Sequence, residues 1–254
     1  MSKHQSGCTV HLCEQSNVKI PTDQHWLSAA EALRLDGITA ESRRQTFLVG
    51  HWFLRLSLAE RFGGQPDDWR VGQHESGALL VEQAAIPLPE ARKMGVSLSH
   101  SGTQLACAID PDAAVGIDIE QLSERRSLDD MVELYGSVEL QQQWQQLQSG
   151  GQSGLAKLRL WYRWWCCYES WVKQQGRGID LAEFGTMRLL ASSADMVSDS
   201  ASAERITCWG QHQQIMLAVT VANSSVEVTV TGSTAEAAVG ADDSVALARC
   251  QLLV

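Results

Sequence analysis

Apolar residues recur at helical spacing in two long stretches, which predict the main helices of the chain. In 41–62 the apolar face is formed by Leu48, Trp52, Leu56 and Ala59. In 161–179 it is formed by Trp161, Trp164, Trp165, Tyr168 and Val172. Gly176 and Gly178 are expected to end the second helix. Both apolar faces are expected to pack against a core.

The rest of the pattern predicts shorter elements. Ser28 and Glu31 resemble a capping box that opens a helix ending at Asp36-Gly37, and the glutamine-rich stretch 127–148 is helical in composition. Alternating or β-branched runs predict strands at 10–12, 69–71, 78–81, 104–109, 115–120, 184–190, 205–209 and 215–221, and residues 96–102 lead into the strand at 104–109. Residues 191–203 are expected to form a loop, and the small, acidic stretch 231–243 a disordered or loose surface excursion.

An acid and an amine lie on one face of the tryptophan-rich helix. Trp165, Glu169 and Lys173 are spaced four residues apart, so the carboxylate and the ammonium group are neighbours. One interpretation is an ordinary ion pair on a solvated face, worth about 0.3–0.5 kcal/mol. A catalytic interpretation requires partners from elsewhere in the chain.

Two further acids provide such partners. Asp118 and Glu120 alternate with Ile117 and Ile119, so on a strand both carboxylates point to the same side. Carboxylates so close are tolerated at a solvated edge or are neutralised by a divalent cation. Mg²⁺ commonly takes one or two carboxylates together with phosphate oxygens, and Glu169 is a candidate third ligand.

Candidate phosphate-binding groups lie before these acids. Ser99 and His100 both carry donors that suit phosphate oxygens, although a structural histidine is the commoner meaning of such a pair. The 41–62 helix carries Arg43 and Arg55, which are either a solvated face or ligand-binding cations.

Composition narrows the function classes. The chain has 254 residues, a formal net charge of −10 and no block rich in lysine or arginine, which argues against a nucleic-acid-binding protein. A polyanionic ligand would therefore need a local basic pocket. Seven cysteines without regular spacing fit neither a disulfide framework nor a zinc site. No apolar leader and no run of about 20 apolar residues is present, so a cytoplasmic protein without a membrane span is expected.

The order of motifs resembles that of the 4′-phosphopantetheinyl transferases of the large, surfactin-synthetase-activating type. That family has an F-x-x-G-x-x-x-x-R-like helix, then S-x-SH-S/T, G-x-D-x-E, and W-x-x-K-E-S/A-x-x-K followed by G-x-G. The matching segments here are Phe47 to Gly50 with Arg55, Ser97 to Ser101, Gly116 to Glu120, and Trp165 to Lys173 with Gly176 and Gly178. The resemblance runs from about Phe47 to Ile179.

The resemblance implies an α+β fold of two pseudo-symmetric halves, each a small antiparallel sheet packed on a long helix, with the active site at their interface. On that basis we expect an N-terminal half over 1–115, a C-terminal half over 116–230, and a poorly ordered or peripheral tail over 231–254.

The resemblance also implies a reaction. Phosphopantetheine moves from coenzyme A to a serine of an apo acyl or peptidyl carrier protein, and adenosine 3′,5′-bisphosphate is released. The implied roles are Mg²⁺ binding by Asp118, Glu120 and Glu169, proton removal by Glu169 or a metal-bound water, and phosphate binding by Lys173, Ser99 and His100. Arg43 or Arg55 is implied to approach the 3′-phosphate. A monomer is expected.

Two positions depart from the family pattern. Tyr168 stands where the family usually has the lysine before its glutamate, and Ala78 follows Gly77 where the family has another lysine. Each loss removes a contact worth about 1.5–3 kcal/mol if nothing replaces it. The alternative is therefore a non-catalytic relative that binds carrier protein or coenzyme A. An unrelated metal-dependent phosphotransferase is a weaker alternative, and no P-loop supports it.

Overall fold

Helices and strands account for most of the residues that the computed structural model describes, which are 7–83, 94–124, 127–191, 205–212, 214–222, 228–232 and 248–253. The first part of the chain forms β1 (Cys8–Glu14), α1 (Ala29–Asp36), α2 (Glu41–Phe62), β2 (Trp69–Gln73), β3 (Leu79–Gln83), β4 (Gly95–Ser101) and β5 (Gln104–Asp110). The second part forms β6 (Val115–Gln121), α3 (Leu128–Tyr135), α4 (Val138–Ser149), α5 (Gly154–Gln174), α6 (Leu181–Phe184), β7 (Arg188–Ala191), β8 (Ile206–His212), β9 (Ile215–Val221), β10 (Val228–Gly232) and β11 (Ala248–Leu253).

The strands form two larger sheets and a hairpin. One sheet has the order β10-β1-β5-β4, the other has the order β6-β9-β8-β11-β7, and β2 pairs with β3. Pairing is antiparallel except between β1 and β10. Helix α2 packs against β4 and β5, whereas α5 packs against β6 and β9. The α+β class is confirmed, with a long helix on each larger sheet.

The helix-forming signals in the sequence identified the two long helices. Helix α2 has the predicted bounds, and the capping box of α1 is present, with Glu31 N–H donating to Ser28 Oγ and Ser28 N–H to Glu31 Oε2. Helix α5 begins earlier than predicted, at Gly154. It ends before Gly176, whose φ of 63° lies in the left-handed region that glycine adopts without strain.

The tryptophan face of α5 is buried as predicted. Trp161, Trp164, Tyr168 and Val172 lie in a core beside Phe184. Trp165 is half-buried against the same cluster. Among the described helices, none is both long and apolar enough to cross a membrane.

Two predicted elements differ in the structure. The single helix expected over 127–148 is divided into α3 and α4, because Ser137 Oγ accepts the Leu140 N–H and starts a new helix. Phe184 ends α6, so the strand expected over 184–190 begins only at Arg188.

The C-terminal stretch also differs from the expected tail. Its last six described residues form β11, which lies between β8 and β7 inside the second sheet, so this part is not peripheral. Gly232 ends β10, which pairs with β1. The rest of the expected surface excursion, 233–243, and residues 192–203 of the expected loop lie outside the described residues.

Candidate active site

Three carboxylates from β6 and α5 converge on one point. Asp118 and Glu120 project from β6 toward α5, and Glu169 projects from α5 toward the strand; one oxygen of each lies within 4.8 Å of the others. Asp118 is 2% exposed, and Glu120 and Glu169 are partly buried. The solvated-edge interpretation of the acids on β6 therefore does not describe them.

Close packing between β6 and α5 produces this convergence. Gly116 lies directly beneath the helix, and a Cβ at this position would lie 1.9 Å from the Ser170 carbonyl oxygen and 2.4 Å from the Gln174 nitrogen. Only glycine fits there, because a methyl group would push the helix away from the strand. The glycine of the G-x-D-x-E motif thus sets the distance between Asp118 and Glu169.

Lys173 completes the cluster. Its Nζ lies 2.6 Å from Asp118 Oδ1, 3.3 Å from Ser99 Oγ and 3.5 Å from Glu169 Oε2. Burial disfavours the ammonium form, but the carboxylates of Asp118 and Glu169 outweigh that effect and raise the pKa of Lys173. The expected i,i+4 pair exists, but it belongs to a buried network and not to a solvated face.

The carboxyl group of Glu169 has a pKa near neutrality. Burial and the negative charge of Asp118 raise the pKa of Glu169 to about 7, although the Lys173 ammonium opposes the shift. A carboxyl group with such a pKa near neutrality suits proton transfer.

The donor set fits a divalent cation. Asp118 Oδ2 is buried and makes no hydrogen bond with the described residues, so one oxygen of the most buried acid is left for another ligand. Three carboxylates within bonding range of one point supply the hard oxygen donors that Mg²⁺ prefers.

Serines of β4 support the acids from the other sheet. Ser99 Oγ donates to Asp118 Oδ1 at 2.9 Å, and Ser101 Oγ donates to Glu120 Oε2 at 2.6 Å. Both hydroxyls also accept backbone N–H groups of β6, Ser99 from Ile119 and Ser101 from Gln121. Ser101 was not predicted as a site residue, although its alternation with Ser99 on a strand was a usable signal.

A cavity of about 1410 Å³ adjoins the cluster through Ser99 and Lys173. Its wall is formed by α1, the start of α2, the β2–β3 turn, β4 and the end of α5. The basic side chains on this wall are those of Arg34, Arg43, His51, His100, Lys173 and Arg177. His100 is exposed, and its pKa is lowered by partial desolvation and by the nearby Lys173 charge. A local basic cavity therefore exists in this acidic protein.

Comparison with known proteins shows what the segment around this cluster is similar to. Residues 114–231 match the model of the 4′-phosphopantetheinyl transferase superfamily. The matched segment contains Asp118, Glu120, Glu169 and Lys173, which are the residues of the cluster.

Individual relatives of the chain are named as phosphopantetheinyl transferases. The chain is 23% identical over 198 residues to a mouse L-aminoadipate-semialdehyde dehydrogenase-phosphopantetheinyl transferase, which covers 74% of this chain and 62% of the relative. It is 26% identical to the Nostoc 4′-phosphopantetheinyl transferase HetI, covering 60% and 61% of the two chains. It is 27% identical to a Bacillus subtilis 4′-phosphopantetheinyl transferase, covering 53% of each chain. The chain thus spans between half and two thirds of the length of these relatives.

Arg55 lies elsewhere than the resemblance to the transferases implies. Its guanidinium is fully buried and binds both oxygens of Glu31, at 2.9 and 2.6 Å, so it is not on the cavity wall. Burial opposes ionisation of Glu31, but hydrogen bonds from His51 and Arg55 lower its pKa to about 2. Arg55 therefore joins α2 to α1. Arg43, the other candidate, is exposed and does line the cavity.

Tyr168 also differs from its implied place. Its side chain is fully buried and packs on Phe184 and Trp171. Its hydroxyl lies 2.7 Å from the Asp180 carbonyl oxygen and 3.0 Å from Glu183 Oε2. Tyr168 is not on the cavity wall. The tyrosine therefore does not remove a phosphate contact from that wall.

Ala78 lies on the cavity wall, as the resemblance to the transferases implies. It lies beside Gly176: a Cβ added to that glycine would lie 3.5 Å from the Ala78 Cβ. Arg177 follows this glycine and lines the same cavity. No motif or spacing singled out Arg177, because its place depends on the contact between the end of α5 and the β2–β3 turn.

Proposed function

We propose that this protein transfers the 4′-phosphopantetheine group of coenzyme A to a serine of an apo acyl or peptidyl carrier protein, in a reaction that depends on Mg²⁺. The observation that supports this best is the junction between the basic cavity and the acidic cluster, which share Lys173 and Ser99. A ligand with several phosphates suits the cavity, and a divalent cation suits the cluster. We place the protein in the large, surfactin-synthetase-activating type, acting as a cytoplasmic monomer.

The chain's own residues account for binding. Lys173 and His100 lie where the cavity meets the cluster and would donate to the pyrophosphate oxygens, whereas the one hydroxyl proton of Ser99 goes to Asp118 Oδ1. Arg43, at the start of α2, would contact a phosphate farther along the cavity. Charge-assisted contacts of this kind orient the pyrophosphate for in-line attack.

The chemistry follows from the cluster. Asp118, Glu120 and Glu169 would hold Mg²⁺, which would supply positive charge that offsets the negative charge of the pyrophosphate. The carrier serine oxygen forms a bond to the phosphorus that bears pantetheine, and the bond from that phosphorus to the oxygen of the leaving adenosine 3′,5′-bisphosphate breaks. Glu169 or a metal-bound water is the candidate acceptor of the serine proton, and the Lys173 ammonium would stabilise charge on the leaving phosphate.

The non-catalytic alternative rested on Tyr168 and Ala78. The Tyr168 side chain lies in the core and not on the cavity wall, and Arg177, which pairs with Glu183 at 3.0 Å, lines the same cavity as Ala78. Neither the cavity nor the cluster favours that alternative over the transferase.

The test is a transfer assay. The purified protein is incubated with coenzyme A, MgCl₂ and a panel of apo carrier proteins, and the carriers are weighed by intact-protein mass spectrometry. The expected result is a phosphopantetheine adduct on at least one carrier that disappears when EDTA is added. Absence of an adduct on every carrier, while calorimetry shows that coenzyme A binds, would contradict the proposal.

A further inference from the structure

Strands β4 and β6 are the edge strands of the two larger sheets, and serine side chains join them. The N–H groups of Ile117, Ile119 and Gln121 donate to three serine hydroxyls of β4, at 3.1, 3.2 and 2.9 Å. The three acceptors are Ser97, Ser99 and Ser101. Each hydroxyl takes the place that a carbonyl oxygen of a neighbouring strand would occupy, so these three N–H groups on the edge of β6 have acceptors. We call these three residues the serine ladder.

A hydroxyl that accepts an N–H keeps its own proton for donation. The Ser101 hydroxyl donates its proton to Glu120 Oε2 at 2.6 Å, and the Ser99 hydroxyl donates its proton to Asp118 Oδ1 at 2.9 Å. The corresponding position next to Ser97 is Gly116, which has no side chain. Two steps of the serine ladder thus hold an acid of the cluster, and one step does not.

We propose that Ser101 is a positioning residue for the metal centre, which it serves by holding the Glu120 carboxylate beside Asp118 and Glu169. The inference rests on the proposed function, because it assumes that the cluster binds a divalent cation. A hydroxyl-to-carboxylate bond of 2.6 Å is in the short, charge-assisted range. Glu120 is only partly buried, so a hydrogen bond to a buried strand serine restricts the rotamers of its side chain before a cation binds.

Strand β4 contributes to the site on both of its faces. Its serine hydroxyls face β6 and hold the acids, while His100, between Ser99 and Ser101, lies on the cavity wall. The strand therefore fixes the position of the metal ligands relative to the phosphate-binding side of the site.

The serine ladder supplies its own control. Ser97→Ala and Ser101→Ala each remove one bond to the backbone of β6, but only the second removes a contact with a carboxylate. The measurement is the affinity of the full-length protein for Mn²⁺, as a probe of the divalent site, by electron paramagnetic resonance titration without coenzyme A. Thermal unfolding of the same samples reports the structural cost of each substitution.

We expect Ser101→Ala to weaken Mn²⁺ binding by about 10-fold, as supporting residues of metal sites commonly do. Ser97→Ala should stay within about 2-fold of the wild type while losing a comparable amount of thermal stability. Ser101→Thr keeps the hydroxyl and should restore the affinity. Equal affinities for Ser97→Ala and Ser101→Ala, with the wild type binding Mn²⁺, would overturn the inference.

A second variant tests the same contact in case Ser101→Ala does not fold. Ser101→Cys keeps the approximate volume of the side chain but replaces the hydroxyl with a weak donor, and it should also weaken Mn²⁺ binding relative to Ser101→Thr. Equal Mn²⁺ affinities of these two variants would likewise overturn the inference. Failure of the proposed function looks different: the wild type would bind Mn²⁺ with the predicted dependence on Ser101 yet modify no carrier protein.

Discussion

Tyr168 shows how far neighbours in sequence can be separated in space. It directly precedes Glu169, but successive residues on a helix point about 100° apart. Glu169 therefore faces β6, whereas Tyr168 faces the core formed with Phe184 and Trp171. The sequence shows the substitution, but only the packing of α5 shows which side of the helix it affects.

We predict that Tyr168→Lys destabilises the protein without raising transfer. The lysine would replace a fully buried aromatic ring and lose the contact with Phe184, at a cost on the order of 3 kcal/mol in the free energy of unfolding. Chemical denaturation measures that cost, and the rate of carrier modification measures function.

Tyr168→Phe is the matched control for this substitution. It keeps the ring and removes the hydroxyl that contacts Asp180 and Glu183, so a loss of about 1–2 kcal/mol is expected. A large gain in transfer by Tyr168→Lys would contradict the placement of this side chain.

The candidate site residues divide according to where their partners lie. Asp118 and Glu120 could be predicted from sequence because alternation on one strand determines that their side chains share a face. Arg55 could not be placed, because its partner Glu31 is on another helix and nothing in the spacing of α2 indicates that contact. Ser101 is an intermediate case, since its face was predictable but its bond to Glu120 was not.

At the scale of elements, the contact of β6 with α5 determines the site. We predict that Gly116→Ala lowers the free energy of unfolding by about 3 kcal/mol, because the new methyl group would overlap backbone atoms of Ser170 and Gln174. Chemical denaturation measures this loss. Displacement of the helix should also reduce transfer, since Asp118 and Glu169 would move apart.

Gly178→Ala is the control for a glycine substitution. An added Cβ at this position would meet nothing within 4 Å, so a change below about 0.5 kcal/mol is expected. If both variants unfolded with the wild-type free energy, close packing of β6 on α5 would not be what requires glycine in this motif.

Most elements followed from local pattern, and the exceptions have different physical causes. Helix α2 has the bounds that its composition and flanking breaks predict. The division between α3 and α4 was missed because Ser137 acts as a cap within a continuous polar stretch. Strand β11 was missed because its partners, β7 and β8, are distant in sequence, and the acidic composition before it favoured a loose tail.

At the scale of the whole molecule, local charge matters more than net charge. The chain carries a formal net charge of −10, yet several basic side chains from α1, α2, β4 and the end of α5 line one cavity. Composition could show only that an anionic ligand would need a local pocket. The pocket itself depends on how the two larger sheets and their helices meet, which no stretch of sequence specifies alone.

We propose that chemistry occurs at the acidic cluster and that coenzyme A binds in the adjoining cavity. The most direct measurement compares Asp118→Asn with the wild type for both coenzyme A binding and the rate of carrier modification at saturating MgCl₂. Glu133→Gln, which changes an exposed acid on α3, is the matched control. We expect Asp118→Asn to lose at least about 100-fold in transfer while coenzyme A still binds and Glu133→Gln behaves as the wild type. Transfer by Asp118→Asn within a few-fold of the wild type would contradict the account.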